Sequence, residues 1–311
     1  MGKDRIRIGT RSSRLALWQA NWVKEQLERR YRGVKYSLEK IKTRGDKITD
    51  VPLAKIGGKG LFLKEIEDAL LKGQVDIAVH SMKDVPTLLP HGLHIRAITE
   101  REDFRDVLIS TGNVALKDLP PNSRIGTSSL RRQAQLLHIS SSFEVVALRG
   151  NLDTRLRKLQ TNALDAVVVA AAGIKRMGLQ HRVSEYISPE VILPAIGQGA
   201  LGIESRIDDD GINEMIDFLN SPDSSAAITA ERAFLKKLEG GCQVPIAALG
   251  QVNTGGLTLC GIVSSIDGRR LLKDKVEGSL DNPVTLGEEL AHKLLAKGAG
   301  EILREIQPAA C

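Results

Sequence analysis

From Arg5 to Ala170, short β-prone runs alternate with stretches of helical period, and this alternation constrains the fold more than any other feature. Arg5–Thr10, Val34–Thr43, Asp76–Ser81, Ser123–Gly126, Glu144–Leu148 and Asp165–Ala170 read as strands. Between them Ser13–Arg32, Leu61–Leu71, Leu130–Ile139 and Asn151–Leu159 read as helices; the first places Leu15, Trp18, Trp22, Val23 and Leu27 close to one face. Strands that take turns with helices form βαβ units on a mostly parallel sheet. With 311 residues, two or three domains are expected rather than one.

One short echo runs through this region. Arg7-Ile8-Gly9-Thr10-Arg11-Ser12-Ser13 and Arg124-Ile125-Gly126-Thr127-Ser128-Ser129 each close a strand and open a helix. Two readings stand open: a duplicated βαβ series, or two independent turns that each use Gly and Ser for capping. Beyond Glu204 the pattern changes. A helix at Asp208–Leu219 is followed by Ser221-Pro222-Asp223-Ser224 as linker and cap, then a helix at Ser225–Leu238 that ends at Gly240-Gly241. Strands at Ile246–Val252, Thr258–Ser264 and Arg270–Val276 and a helix over Val284–Glu305 complete a small α+β domain. The segment Lys42–Lys59 has no period, a Gly pair and many charges, and reads as a mobile loop.

Charge narrows the function. Residues 1–100 hold 20 Lys and Arg against 12 Asp and Glu, residues 101–200 hold 13 against 9, and the remainder 11 against 17. A basic first two-thirds on an acidic tail suits a local site for an anionic ligand better than a polyanion-binding surface. Aromatics at 3% leave little to stack on bases. The opening residues MGKDRIRIGTRSSRLAL turn charged at once, and no apolar run approaches a bilayer span, so a cytoplasmic protein without a membrane partner is expected. Cys242, Cys260 and Cys311 match neither a zinc site nor a disulfide framework.

Arg11, Arg131, Arg132, Arg149 and Arg155 all fall at or just after predicted strand ends, where open α/β sheets place their ligand crevice. Helix N-termini after Thr10, Thr127 and Gly150 add free N–H donors there. Guanidinium groups bind carboxylates bidentately. Any one of these arginines also reads as a solvated or salt-bridged surface group; the set together suits a ligand with several carboxylates, and spacing alone fits a phosphate nearly as well. In His80-Ser81-Met82-Lys83-Asp84-Val85-Pro86, Asp84 is either a plain ion-pair partner of Lys83 or a carboxylate facing a cationic intermediate. Gly240-Gly241 clears space before Cys242, which is either an accessible thiol on that loop or a plain structural cysteine, whereas Cys260 reads as buried in a strand.

Nine segments, in order, carry a family resemblance: IGTRSSRLALWQA, TRGD, GGKGLF, DIAVHSMKDVP, IGTSSLRRQAQL, LRGNLDTRLRKL, AAAGIKRMG, PAIGQGALGIE and GGCQVP. Over essentially its whole length the chain resembles the porphobilinogen deaminase family. The resemblance implies two lobes like those of type II periplasmic binding proteins, with mixed, mostly parallel sheets, plus a small α+β domain. The implied boundaries are 1–99 with 200–219, 100–199, and 220–311. It implies a monomeric transferase that joins four porphobilinogen molecules head to tail, with loss of ammonia, on a dipyrromethane cofactor tethered by a thioether to Cys242, without a metal or nucleic acid. Asp84 would be catalytic. Ser81, Lys83, Thr127, Ser129, Arg131, Arg132 and Arg155 would join Asp84 in holding the cofactor. Arg11, Ser13, Gln19, Arg149, Arg176 and Gln198 would hold substrate rings, and Lys55 and Lys59 would sit on a lid. The rival reading is a two-lobed carboxylate- or oxyanion-binding protein without catalysis.

Overall fold

The computed structural model describes residues 4–43, 63–161, 164–238 and 244–306. Cys242, Cys311, Gly240-Gly241, all but the first two residues of the expected loop Lys42–Lys59, and with it Lys55 and Lys59, lie outside the described residues.

The chain opens with strand β1 (Arg5–Thr10), helix α1 (Arg14–Arg30) and strand β2 (Lys35–Lys40). Ser13 caps α1 by accepting from the Ala16 N–H at 3.3 Å, and Arg29 and Arg30 complement the negative end of the helix. The face that α1 buries is Gln19, Ala20, Val23 and Leu27, while Trp18 is turned outward. Helix α2 (Lys64–Leu71), strand β3 (Ile77–Ser81) and strand β4 (Leu93–Ile98) follow. Four of the five residues of β3 are buried, as a strand covered on both faces requires.

The chain then crosses to a second sheet. Its elements are β5 (Asp106–Ser110), β6 (Arg124–Gly126), α3 (Leu130–Ile139), β7 (Glu144–Val146), α4 (Leu152–Thr161), β8 (Ala166–Ala170), α5 (Ala171–Arg176) and β9 (Glu185–Ile187). It returns as β10 (Leu201–Arg206), which enters the first sheet between β3 and β4. The sheet orders are β2-β1-β3-β10-β4 and β7-β6-β8-β5-β9. In each, the first three strands are parallel and the fourth runs against both its neighbours. The two echo motifs occupy the same place, β1 and β6, second in their sheets. Their glycines are needed for space: a Cβ at Gly126 would stand 3.0 Å from Leu148 and Leu164, and one at Gly9 3.2 Å from Val75.

Helices α6 (Asp210–Ile216) and α7 (Pro222–Lys237) lead to a third, antiparallel sheet of β11 (Ile246–Asn253), β12 (Gly256–Ser264) and β13 (Leu271–Gly278). Phe234, Leu259, Val263, Leu290 and Leu294 form its core with α7 and α8 (Pro283–Ala296). Three expectations need correction here. The segment read as a linker is already helix, because Ser221 caps α7 and Pro222 occupies its first turn. The single C-terminal helix is two, α8 and α9 (Ala299–Ile306), divided at Gly298, whose φ of 97° no right-handed helix accepts. Cys260 is half-buried rather than buried, since it lies on the face of β12 opposite Leu257 and Leu259. Burial raises its thiol pKa, which disfavours the thiolate.

Candidate active cleft

Parallel strands bring their C-terminal ends to one side of each sheet. On that side of the first sheet are Arg11 and Ser13, after β1, and Ser81, the last residue of β3, with Lys83 and Asp84 just beyond it in the one-turn helix Met82–Asp84. On that side of the second are Thr127 and Ser129, after β6, with Arg131 and Arg132 in the first turn of α3. Arg149 and Arg155 flank the entry to α4, and Arg176 ends α5.

The charges of the two sheets reach one another. Burial and then the Arg132 charge push the Lys83 ammonium down to about 8, against the pull of Asp84 and Asp106. Arg155 is pushed down to about 10 by burial, then by Arg132 and Arg149, with Asp84 opposing. Burial also lowers Arg131. Lys83 therefore lies within reach of the charges of Arg131, Arg132, Asp84 and Asp106, and Arg155 within reach of those of Arg132, Arg149 and Asp84. Among the described residues Lys83, Arg131, Arg132 and Arg155 meet Asp84 and Asp106 there, an imbalance that an anionic ligand relieves.

Asp106 was not singled out from the sequence. It is fully buried and accepts from Arg131 Nη1 at 2.8 Å and Arg132 Nη2 at 2.7 Å. Burial alone would raise its carboxyl; the two guanidiniums outweigh this and hold it well below the usual carboxylate range. The Nε atoms of Arg131 and Arg132 are buried and have no hydrogen-bond partner among the described residues. Unsatisfied buried donors beside excess positive charge are the chemistry of a carboxylate-receiving site. Thr127 and Ser129 stiffen it: Ser129 N donates to Thr127 Oγ1 at 3.2 Å, and Arg132 N to Ser129 Oγ at 3.4 Å.

Other expected residues stand at its margin. Gln19 donates to Ser81 Oγ at 2.9 Å, which ties α1 to the end of β3. Gln198 is 1% exposed and donates to Asp106 at 2.9 Å and to the Phe104 carbonyl at 2.7 Å, so it stands behind the arginines. Burial lowers Arg176 to about 10; it donates to the Gly199 carbonyl at 2.6 Å and lies 5.9 Å from the Trp18 ring centroid. The sequence by itself marks Trp18 only as part of a helix face. Arg11 is half-buried on the β1–α1 connection. A surface cavity lined by Arg5, Arg7, Asp76 and Arg206 lies at the opposite end of β1, with Arg7 and Arg206 tied to Asp76. Among the described residues no group of His, Cys, Asp and Glu is placed to hold a metal, and no helix is long and apolar enough to cross a membrane.

Residues 6–214 match the family model described as porphobilinogen deaminase, dipyromethane cofactor binding domain, and residues 225–296 match that of the porphobilinogen deaminase C-terminal domain. Among curated proteins, the porphobilinogen deaminase of Geobacter sulfurreducens is 58% identical over 98% of this chain and 96% of its own. That of Geobacter metallireducens is 59% identical over the same shares, and that of Pelobacter propionicus 57% identical over 98% of both chains. Among solved structures, the methionine-binding protein MetQ covers 70% of this chain and 89% of its own, with a TM-score of 0.43 and 13% identity. A probable amino-acid transporter binding protein from Bacillus subtilis covers 69% and 89%, with a TM-score of 0.40 and 13% identity. At those scores the structural likeness adds nothing to the architecture read from the sheets themselves.

Proposed function

The chain belongs to the porphobilinogen deaminase family, and on that premise we propose which of its residues carry out the reaction. The protein is a transferase of tetrapyrrole biosynthesis that deaminates porphobilinogen and joins four molecules head to tail into hydroxymethylbilane, on a dipyrromethane cofactor. The observation that supports the residue assignment is the meeting of Arg131 and Arg132 at buried Asp106, with Lys83, Arg155 and Asp84 within reach of their charges.

When bound, dipyrromethane supplies the pyrrole terminus from which the product chain is extended. In this reading its acetate and propionate arms are held by Arg131, Arg132, Arg155 and Lys83, with Ser81, Thr127 and Ser129 completing the pocket. Cys242 anchors it through a thioether. Arg11, Ser13, Arg149 and Arg176 hold the carboxylates of substrate rings, and Gln19 and Gln198 steady the two walls. Asp84, exposed at the end of a buried strand, faces the cation that forms as ammonia leaves. Its carboxylate stabilises that charge and accepts pyrrole N–H groups. Lys55 and Lys59 belong to a segment that covers the cleft and excludes water.

The domain boundaries proposed with it are 1–99 with 200–219, 100–199, and 220–311, a division that the three separate sheets support. A cytoplasmic monomer without nucleic-acid or membrane partners completes the proposal. Incubating the protein with porphobilinogen, then acidifying and oxidising, tests it: uroporphyrin absorption appears if the reading holds, and unchanged porphobilinogen overturns it.

A further inference from the structure

Asp106 is the first residue of β5, directly after the chain has crossed from the first sheet to the second. Gln198 lies on the returning crossing, between β9 and β10. Both crossings and both buried arginines therefore meet at one carboxylate. Its Oδ2 accepts from Arg131 Nη1 at 2.8 Å; its Oδ1 accepts from Arg132 Nη2 at 2.7 Å and from the Gln198 amide at 2.9 Å. Each guanidinium is pinned once more, Arg131 Nη1 to the Leu193 carbonyl at 2.7 Å and Arg132 Nη1 to the Val168 carbonyl at 3.1 Å. Arg131, Arg132 and Asp106 are 5%, 4% and 0% exposed, so rotating either guanidinium would strand a buried donor or acceptor.

We propose that Asp106 is a positioning residue for ligand carboxylates: it locks Arg131 and Arg132 into one fixed receiver, and Gln198 ties that receiver to the interlobe crossing. Asp106 touches no ligand itself, because it is 0% exposed and its own negative charge repels a carboxylate. One carboxylate between two guanidiniums leaves a net positive charge, which the ligand completes. If Asp106 were lost, the two arginines would repel and the receiver would open before a ligand arrived. The inference rests on the reading that Arg131 and Arg132 hold the cofactor.

The test compares wild type with Asp106→Asn, Asp106→Glu and Gln198→Leu by intact mass and thermal unfolding. Asp106→Asn keeps the shape and removes the charge; cofactor content per folded molecule is expected to fall about tenfold or more. Asp106→Glu keeps the charge and recovers part of it. Gln198→Leu leaves all three charges in place and removes the tie to the crossing; cofactor content per folded molecule is expected to fall about twofold to threefold, less than in Asp106→Asn. Folded Asp106→Asn protein with wild-type cofactor content overturns the proposal, because a purely structural role lowers only the unfolding temperature. If Asp106→Asn does not fold, Gln198→Leu decides, and wild-type cofactor content in that variant overturns it. A wild-type protein without cofactor mass would instead refute the underlying reading of the site, and this inference with it.

Discussion

Asp84 is exposed, whereas its neighbours Met82 and Val85 are buried, so the short turn after β3 presents one carboxylate to the cleft from a fixed base. Its charge is felt by Lys83 on its own turn and by Arg155 on the other sheet. Asp84→Asn preserves size and removes that charge. Turnover is expected to drop about a thousandfold, the scale for deleting a preorganised electrostatic group, with thermal unfolding unchanged. Activity within about tenfold of wild type would remove Asp84 from its role. At this scale the sequence was partly legible. Arg131 and Arg132 stand out as two cations in a helix opening that follows a strand, but the same spacing suits a phosphate. Asp106 was hidden, because an acid at the head of the apolar run Val107-Leu108-Ile109 looks like a strand boundary. Only the fold shows that it lies beneath two arginines from residues 25 and 26 positions away.

Helix α2 carries a second buried acid. Glu67 is 7% exposed, and it shares its surroundings with Glu204, His80 and Asp68. Burial first, and then the Glu204 charge, raises its carboxyl to about 7. Glu204 in turn lies 2.9 Å from His80 Nε2. A carboxyl raised in the folded state contributes no penalty below its unfolded pKa of 4.5; as pH rises from there through about 7, the unfolded chain releases the proton first and stability falls. Glu67→Gln is expected to flatten that slope and to stabilise the protein at pH 8 by about 2 kcal/mol. Denaturant unfolding at pH 5 and pH 8 measures it; equal slopes for wild type and variant would contradict it. Elements with strong periods, such as β1, α1 and α3, were legible nearly to the residue. β10 was not, because buried Glu204 and Ser205 give Leu201–Arg206 a polar look, and its place between β3 and β4 depends on a chain segment more than 100 residues away. The break at Gly298 was missed because the apolar period continues across it.

Across the whole molecule, one buried ion pair ties the interlobe crossings to the third sheet. Arg101 Nη1 and Glu231 Oε1 are 2.5 Å apart, with side chains 9% and 0% exposed. Glu231 also accepts from Gly197 N at 2.7 Å and Gly250 N at 2.8 Å, while Arg101 Nε donates to the Gln198 carbonyl at 2.8 Å. Glu231→Ala strands Arg101 and two buried N–H groups and is expected to cost about 3–5 kcal/mol, read as a lower unfolding temperature. A change below about 1 kcal/mol would mean that the junction relaxes around the gap. The charge split between the first two-thirds and the tail was visible in the sequence, but the convergence of both crossings on this junction was not, since it arises only from packing. The junction also bears on the central claim, that the two lobes hold the carboxylates of a group anchored from the third domain. Intact mass spectrometry of denatured wild-type protein tests it most directly, followed by tryptic mapping. The expected result is an excess mass of two pyrrole units carried on the peptide that contains Cys242, and lost in Cys242→Ala while Cys260→Ala and Cys311→Ala keep it; a wild-type mass equal to that of the bare sequence, or an excess on another cysteine, would contradict it.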